Sequence, residues 1–135
     1  MKELNLILII VIFLFSTSCI DEEGKKMMEF VNKIVENPDK MEEIIKSSEF
    51  YDDEFTEMIK PDYKLIVVNS IKSYKNNSIQ YHYEPDAIVN QLDRSQLKGK
   101  SIFISSGNIL YSPNLQFFFQ NINKKWILID ILWGY

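Results

Sequence analysis

The apolar residues of this sequence change their spacing partway along the chain. Between Gly24 and Pro61 they recur every three or four positions, which is the spacing of one face of an α-helix. After Pro61 many of them alternate with polar residues, which is the spacing of a β-strand. Because the helical patterns precede the strand patterns and do not alternate with them, the sequence predicts an α+β fold.

The first part of the chain carries three helical patterns. Residues 24–36 form the first, whose apolar side chains share one face: Met27, Phe30, Val31, Ile34 and Val35. Asn37 and Pro38 are residue types favoured at the N-cap and the first position of a helix. They precede a second, short helix with a stripe of Met41, Ile44 and Ile45. A third helix is predicted to end at Pro61, with Phe55, Met58 and Ile59 on one side.

The next segments predict a strand, a second strand and a connection. Residues 63–71 are rich in β-branched side chains and predict a strand that is buried at its centre. In the following strand, Ile79, Tyr81 and Tyr83 alternate with polar residues. We expect a short helix at residues 85–92 and an exposed loop at 93–100.

The last third of the chain predicts three more strands. They cover residues 101–105, 115–122 and 126–133, and a tight turn at residues 123–125 joins the last two. We therefore expect N-terminal helices packed on one face of a curved antiparallel β-sheet of about four to six strands.

A short apolar run precedes the only cysteine of the chain. Residues 6–15 follow a polar lead that contains Lys2, and Ser16, Thr17 and Ser18 then precede Cys19. At about 1.5 Å per helical residue, this run spans about 15 Å, which is half of a hydrocarbon core of about 30 Å. A charged lead, a short apolar run and small residues are the parts of a secretory signal.

Thr17, Ser18 and Cys19 resemble the lipobox of bacterial lipoproteins, although Ser16 stands where that family usually has an aliphatic residue. The resemblance implies a signal peptide at residues 1–18, cleavage after Ser18, and lipid (palmitate-type acyl chains) on Cys19. Two or more chains make a stable membrane anchor. Residues 19–24 would then be the lipidated N-terminus and a solvated spacer, and 25–135 a single domain. A plain secretory signal, or an uncleaved anchor with an incidental cysteine, is the alternative.

Residues 117–131 resemble the closing hairpin of nuclear-transport-factor-2-like and cystatin-like lipoprotein domains, whose last strand often begins with Lys-Trp, as at Lys125 and Trp126. The resemblance implies a cone-shaped α+β domain whose mouth can hold a small apolar ligand, and some relatives use a buried Asp, Tyr or His there. Asp130, His82 and Tyr81 are therefore the candidate pocket residues, with an Asp130–Tyr or Asp130–His pair conceivable. In the alternative reading, Asp130 is solvated on the outer face of the sheet.

The composition argues against several classes of function. His82 is the only histidine, and lipidation of Cys19 would leave no thiol, so we expect neither a His/Cys metal site nor a Cys–His nucleophile. The acidic residues at 52–57 lack the spacing of a calcium loop. The net charge of −4 and the single arginine, Arg94, argue against nucleic acid as a partner. We expect no metal and no cofactor.

The sequence therefore predicts a non-catalytic lipoprotein of the cell envelope, either periplasmic or surface-exposed. Its partners would be the membrane, through lipidated Cys19, and an unidentified envelope protein. A small apolar-ligand-binding module is the alternative, and an enzyme that uses Asp130 with Tyr or His82 is the weakest. A filled sheet interior would argue against both alternatives, whereas a cavity lined by Asp130 and aromatic side chains would favour them.

Overall fold

The computed structural model describes residues 20–107 and 113–134. The predicted signal peptide and Cys19 lie outside the described residues. Helix α1 spans Glu22–Glu36, a 3-10 turn spans Pro38–Lys40, and helices α2 and α3 span Met41–Ser47 and Pro61–Asn76. The strands are β1 (Gln80–Asn90), β2 (Gln96–Ser105), β3 (Asn114–Ile122) and β4 (Lys125–Gly134).

The four strands form one open antiparallel sheet in the order β1-β2-β3-β4, and the helices precede it in the chain and pack on one of its faces. The predicted α+β fold is therefore confirmed, with four strands. Within the described part of the chain, no helix is both long enough and apolar enough to cross a bilayer.

Helix α1 follows the sequence pattern closely, and all five of its predicted apolar residues are buried. Its N-cap is Asp21, whose Oδ1 accepts a hydrogen bond of 2.7 Å from the backbone N–H of Gly24. Glu22 and Glu23 lie in the first turn, where negative charge is favourable. The predicted solvated spacer is exposed at residues 21–23, but residues 22–24 form the first helical turn and Gly24 is buried.

The segment between α1 and α3 follows the prediction only in part: the short second helix is confirmed as α2, but the rest differs. Pro38 opens a 3-10 turn, and the side chain of Asn37 makes no capping hydrogen bond. The third predicted helix is wrong, because residues 53–60 form turns and extended chain. Asp52 Oδ1 accepts from the backbone N–H groups of Glu54 and Phe55, and the helical turn that starts there is not continued, because the N–H of Glu57 donates to the Ile129 carbonyl oxygen of β4.

Pro61 begins a helix instead of ending one, since it occupies the first turn of α3. The predicted strand at residues 63–71 is therefore wrong. Four side chains of α3 are buried at helical spacing: Val67, Val68, Ile71 and Tyr74. Burial of this face against α1 and the sheet outweighs the β-propensity of the valines and isoleucines.

The predicted short helix at residues 85–92 is wrong as well, because β1 continues to Asn90. Pro85 is tolerated because β1 is an edge strand and its register shifts between Glu84 and Ala87. The predicted loop at 93–100 is largely strand β2, which begins at Gln96.

The core lies between the helices and the sheet. Three rings from α1, the α2–α3 connection and β3 meet there: the centroid of Phe50 is 5.2 Å from that of Phe30 and 5.1 Å from that of Phe119. The sheet contributes seven buried side chains to this core: Ile102, Ile104, Leu115, Phe117, Phe119, Leu128 and Ile131. Among the described residues, the buried side chains of the helices and of the sheet therefore pack against one another in a single core.

The outer edge of β4 is covered by the connection between α2 and α3. The N–H of Leu128 donates to the carbonyl oxygen of Phe50 (2.8 Å), and the N–H of Glu57 donates to that of Ile129 (2.9 Å). Two of the backbone groups along this edge strand are thereby satisfied, which lowers its tendency to pair with another chain.

The predicted tight turn between β3 and β4 is confirmed. Asn123 and Lys124 have φ of 53° and 65°, as the two central residues of a type I′ hairpin turn require.

Replacing Lys124 by glycine is predicted to stabilise the fold. A side chain at positive φ costs about 1 kcal/mol relative to glycine. We expect Lys124→Gly to raise the free energy of unfolding by about 0.5–1 kcal/mol in urea denaturation. The matched control is Lys125→Gly at the start of β4, which we expect to lower stability because glycine weakens a strand. A less stable Lys124→Gly protein would contradict the turn geometry.

Candidate functional site

The sheet is irregular along one transverse line. The β1–β2 register shifts between Glu84 and Ala87, and the β3–β4 register shifts so that Ile129 is an extra, bulged residue. On β2 the same line passes through Gly99, where a Cβ would overlap the carbonyl oxygen of Phe119. Bulges bend strands, and a glycine permits this close approach of two backbones.

Beyond this line, the β1–β2 hairpin leaves the rest of the sheet. Pairing between β2 and β3 ends at Lys100 and Phe119. Residues 87–99 therefore form a two-stranded extension, which we call the arm. Its tip, residues 91–95, is held by hydrogen bonds from Gln91 N–H to the Ser95 carbonyl (2.9 Å) and from Arg94 N–H to the Gln91 carbonyl (3.0 Å).

The arm and β4 enclose an open groove of about 600 Å³ on the sheet face opposite the helices. Its apolar lining includes Val89, Leu97, Phe118 and Leu132. Phe118 is buried although it points away from the main core, and it lies beside Gly99 at the root of the arm. The bend in the sheet thus produces a second, smaller apolar surface.

Asp130 lies in the wall of this groove, half-buried. Burial raises the pKa of its carboxyl group to about 6, and the negative charge of Glu57 adds to the rise. A hydrogen bond of 2.7 Å from the Ile131 N–H to Asp130 Oδ1 opposes it. Since Leu128 and Ile131 face the helices, Asp130 is on the outer face, as the alternative reading held, but it is not fully solvated there.

The structure does not bring the three candidate pocket residues together. Tyr81 points to the helices, where its hydroxyl donates to Asn32 Oδ1 at 3.0 Å. His82 is exposed on the outer face, with Nε2 3.7 Å from Glu84 Oε2. Because β2 and β3 lie between β1 and β4, about 14 Å separates the backbones that carry His82 and Asp130. An Asp130–Tyr81 or Asp130–His82 acid–base pair therefore does not form.

A second cluster, which the sequence did not indicate, joins the start of α1 to the sheet. Lys100 Nζ lies 2.7 Å from Asp21 Oδ2 and 2.9 Å from the hydroxyl oxygen of Tyr83, which in turn donates to Asp21 at 2.9 Å. We call these three residues the N-terminal clasp. Gly24 packs so tightly beside it that a Cβ there would lie 2.7 Å from the Tyr83 ring.

The clasp is partly shielded from water, because only 15% of the Lys100 side chain is exposed. Burial by itself raises the pKa of Asp21, but hydrogen bonds from Lys100, Gly24 and Tyr83 outweigh it and lower that pKa. Burial lowers the pKa of Lys100, and its bonds to Asp21 and Tyr83 outweigh this and raise it. Both ions are therefore stabilised in the folded state.

Asp21 had a local signal as an N-cap, since aspartate is favoured there and apolar residues follow at helical spacing. Its partners lie 62 and 79 positions further along the chain. No local pattern could have identified them.

Comparison with known proteins gives no match: no protein-family model, no curated protein and no solved structure resembles this chain significantly. The similarity of residues 117–131 to nuclear-transport-factor-2-like and cystatin-like hairpins is therefore supported only by those residues. Among the described residues, no group of three or more His, Cys, Asp or Glu side chains is placed to hold a metal ion.

Asp130→Asn is predicted to stabilise the domain at neutral pH. Because the folded-state pKa of Asp130 is about 6 and its ordinary value is 3.8, the folded protein binds the proton more tightly than the unfolded chain. Stability should fall as the pH rises from about 4 to about 6 and should stay reduced above that. We expect a gain of about 1–3 kcal/mol at pH 7.5 for Asp130→Asn in chemical denaturation, and little difference at pH 3.5.

Asp93→Asn is the control for this comparison. Asp93 also lines the groove, but hydrogen bonds from Ser95 lower its pKa. Removing its charge should therefore not stabilise the domain at pH 7.5. Equal effects of the two substitutions, or a gain for Asp130→Asn that does not change with pH, would contradict the assigned environment of Asp130.

Proposed function

We propose that this protein is a non-catalytic lipoprotein of the cell envelope, anchored in the membrane by lipid on Cys19 after removal of residues 1–18. The supporting observation is that contacts which tie the start of α1 to the sheet are made by Asp21, two residues after Cys19. Asp21 caps α1 and is held by the clasp, so cleavage after Ser18 would remove no residue of the described domain.

The sequence before the domain supports the same proposal. The apolar run at residues 6–15 is about half as long as a bilayer core requires, but it is long enough for a signal peptide. An unpaired thiol is unusual in an oxidising compartment, and lipidation would consume the only one. Two or three acyl chains would hold the domain at the membrane permanently.

Metabolic labelling with a palmitate analogue tests the anchor. We expect the full-length protein to be labelled and Cys19→Ala to lose the label and leave the membrane fraction, because a single sulfur atom carries the lipid. Ser16→Leu is the matched control, since it brings the segment closer to the lipobox pattern and should keep the label. Labelling that persists in Cys19→Ala would overturn the proposal.

For the task of the anchored domain, binding is better supported than catalysis, because Asp130 has no acid–base partner in Tyr81 or His82. The partner predicted from the sequence is an unidentified protein of the envelope. The groove favours a second candidate, a small ligand, because its volume of about 600 Å³ lies in the range of small-molecule sites. The groove lies on the sheet face opposite the helices. It is therefore not the mouth between helices and sheet that the fold resemblance implied.

The charges of the groove indicate which ligand it would accept. Three carboxylates line it, those of Glu57, Asp93 and Asp130, and none of the described residues that line it is basic. Six apolar side chains and the amides of Asn90 and Gln91 complete the lining. The complementary ligand is an amphiphilic cation, that is, an apolar body that carries one protonated amine.

Titration with octylamine, octan-1-ol and octanoate tests this candidate on the chain from residue 19 with Cys19→Ala. At pH 7.5 we expect the amine to bind about tenfold more tightly than the alcohol, because only the amine pairs with ionised Asp130. The advantage should shrink at pH 5, where Asp130 takes up a proton. The other titratable groups around Asp130 are Glu57, Asp93, Lys60 and Tyr63.

Two variants separate the contributions to binding. Asp130→Asn should remove the preference for the amine, whereas Leu132→Ala should weaken the amine and the alcohol alike. Equal binding of all three compounds, a preference for octanoate or no binding at all would overturn the assignment of a cationic ligand.

A further inference from the structure

The N-terminal clasp contacts Asp21, two residues after Cys19, from three directions. Asp21 caps α1 through Gly24, pairs with Lys100 on β2 and accepts a hydrogen bond from Tyr83 on β1. The helix and two strands therefore all contact the same carboxylate, which ties the start of α1 to the sheet.

Very little chain separates Asp21 from the proposed anchor. Only Ile20 lies between Cys19 and Asp21, and two Cα steps of 3.8 Å span at most about 7.6 Å. We propose that the lipidated protein stands on the bilayer in one orientation, with the end of the domain that carries the clasp against the lipid headgroups. This inference rests on the proposed lipidation of Cys19.

The direction of α1 determines which end that is. The helix starts beside Tyr83 and Lys100, and further along it Asn32 contacts Tyr81, so it runs from the clasp toward the other end of the sheet. Glu23 at the start of α1 shares a cleft with Lys124 and Lys125 of the β3–β4 turn. The turn is therefore also at the membrane-facing end. Because this end carries charges of both signs, attraction to charged headgroups does not set the orientation. The short tether does.

The opposite end is the row of paired residues formed by Gln80, Ser105, Asn114 and Gly134. In the proposed orientation, this row points away from the membrane.

The two tryptophans of the chain mark these two ends. Trp126 lies beside the clasp, with its ring 5.3 Å from Lys100 Nζ. Trp133 pairs with Leu115 near the opposite end of β4. At about 3.3 Å per strand residue, about 20 Å separates the two rings along the strand.

Fluorescence quenching by a nitroxide on the lipid headgroup tests the orientation. Full-length lipidated protein is reconstituted into phosphatidylcholine vesicles that contain headgroup-labelled phosphatidylcholine. Trp133→Phe leaves Trp126 as the reporter, and Trp126→Phe leaves Trp133. With about 20 Å between the two positions, we expect quenching of Trp126 to be at least about threefold stronger.

The control is an insertion of a Gly-Ser linker of about twelve residues between Ile20 and Asp21, made in each single-tryptophan protein. Such a linker spans about 20 Å as a random coil, so it should abolish most of the difference without altering the domain. Circular dichroism of every variant checks the fold. If Trp126→Phe does not fold, the quenching of Trp126 in the Trp133→Phe protein is compared with and without the linker, and the linker should weaken it.

Mass spectrometry of the same samples separates the two proposals. With lipid present on Cys19, equal quenching of both tryptophans, stronger quenching of Trp133 or no effect of the linker overturns the fixed orientation and leaves the anchor standing. Absence of lipid on Cys19 overturns both.

Discussion

The alternation of side chains along β3 is the constraint from which the rest of the sheet follows. Phe117, Phe118 and Phe119 are consecutive and all buried, yet neighbouring strand residues point to opposite faces. Phe117 and Phe119 join the core beneath the helices, so Phe118 must be buried on the far side. A sheet with helices on only one face can cover that ring only by folding part of itself over it.

The arm provides this cover, and its geometry follows from the irregularities at its root. The shift after Glu84, the absence of a side chain at Gly99 and the bulge at Ile129 lie on one line, and together they let the β1–β2 hairpin bend away from the helices. The bulge also determines the position of Asp130, which pairs with Phe118 at the edge of the apolar surface. The partial burial that raises the pKa of Asp130 is thus a consequence of burying Phe118.

Local patterns in the sequence predicted the elements whose burial is local. The apolar face of α1 and the turn at Asn123 and Lys124 could be predicted because their residues are neighbours in the chain. Residues 63–71 could not, since a run of β-branched residues fits a strand as well as a helix, and only packing against α1 and the sheet decides. The groove depends on register shifts in two pairs of strands, and the clasp joins Asp21 to residues far along the chain, so neither leaves a local signal.

The clasp and the groove are related through the position of Asp130. The row of paired residues that contains Asp130, Phe118 and Ser101 is adjacent to the row of Lys100 and Phe119, although Lys100 faces the helices and Asp130 the groove. Asp130 therefore lies at nearly the same height on the sheet as the clasp. In the proposed orientation the groove opens close to the headgroups, where amphiphilic molecules concentrate. If both proposals hold, an acidic groove this close to a bilayer would be placed to bind a cationic amphiphile from the membrane surface, with no need for the ligand to cross open solvent.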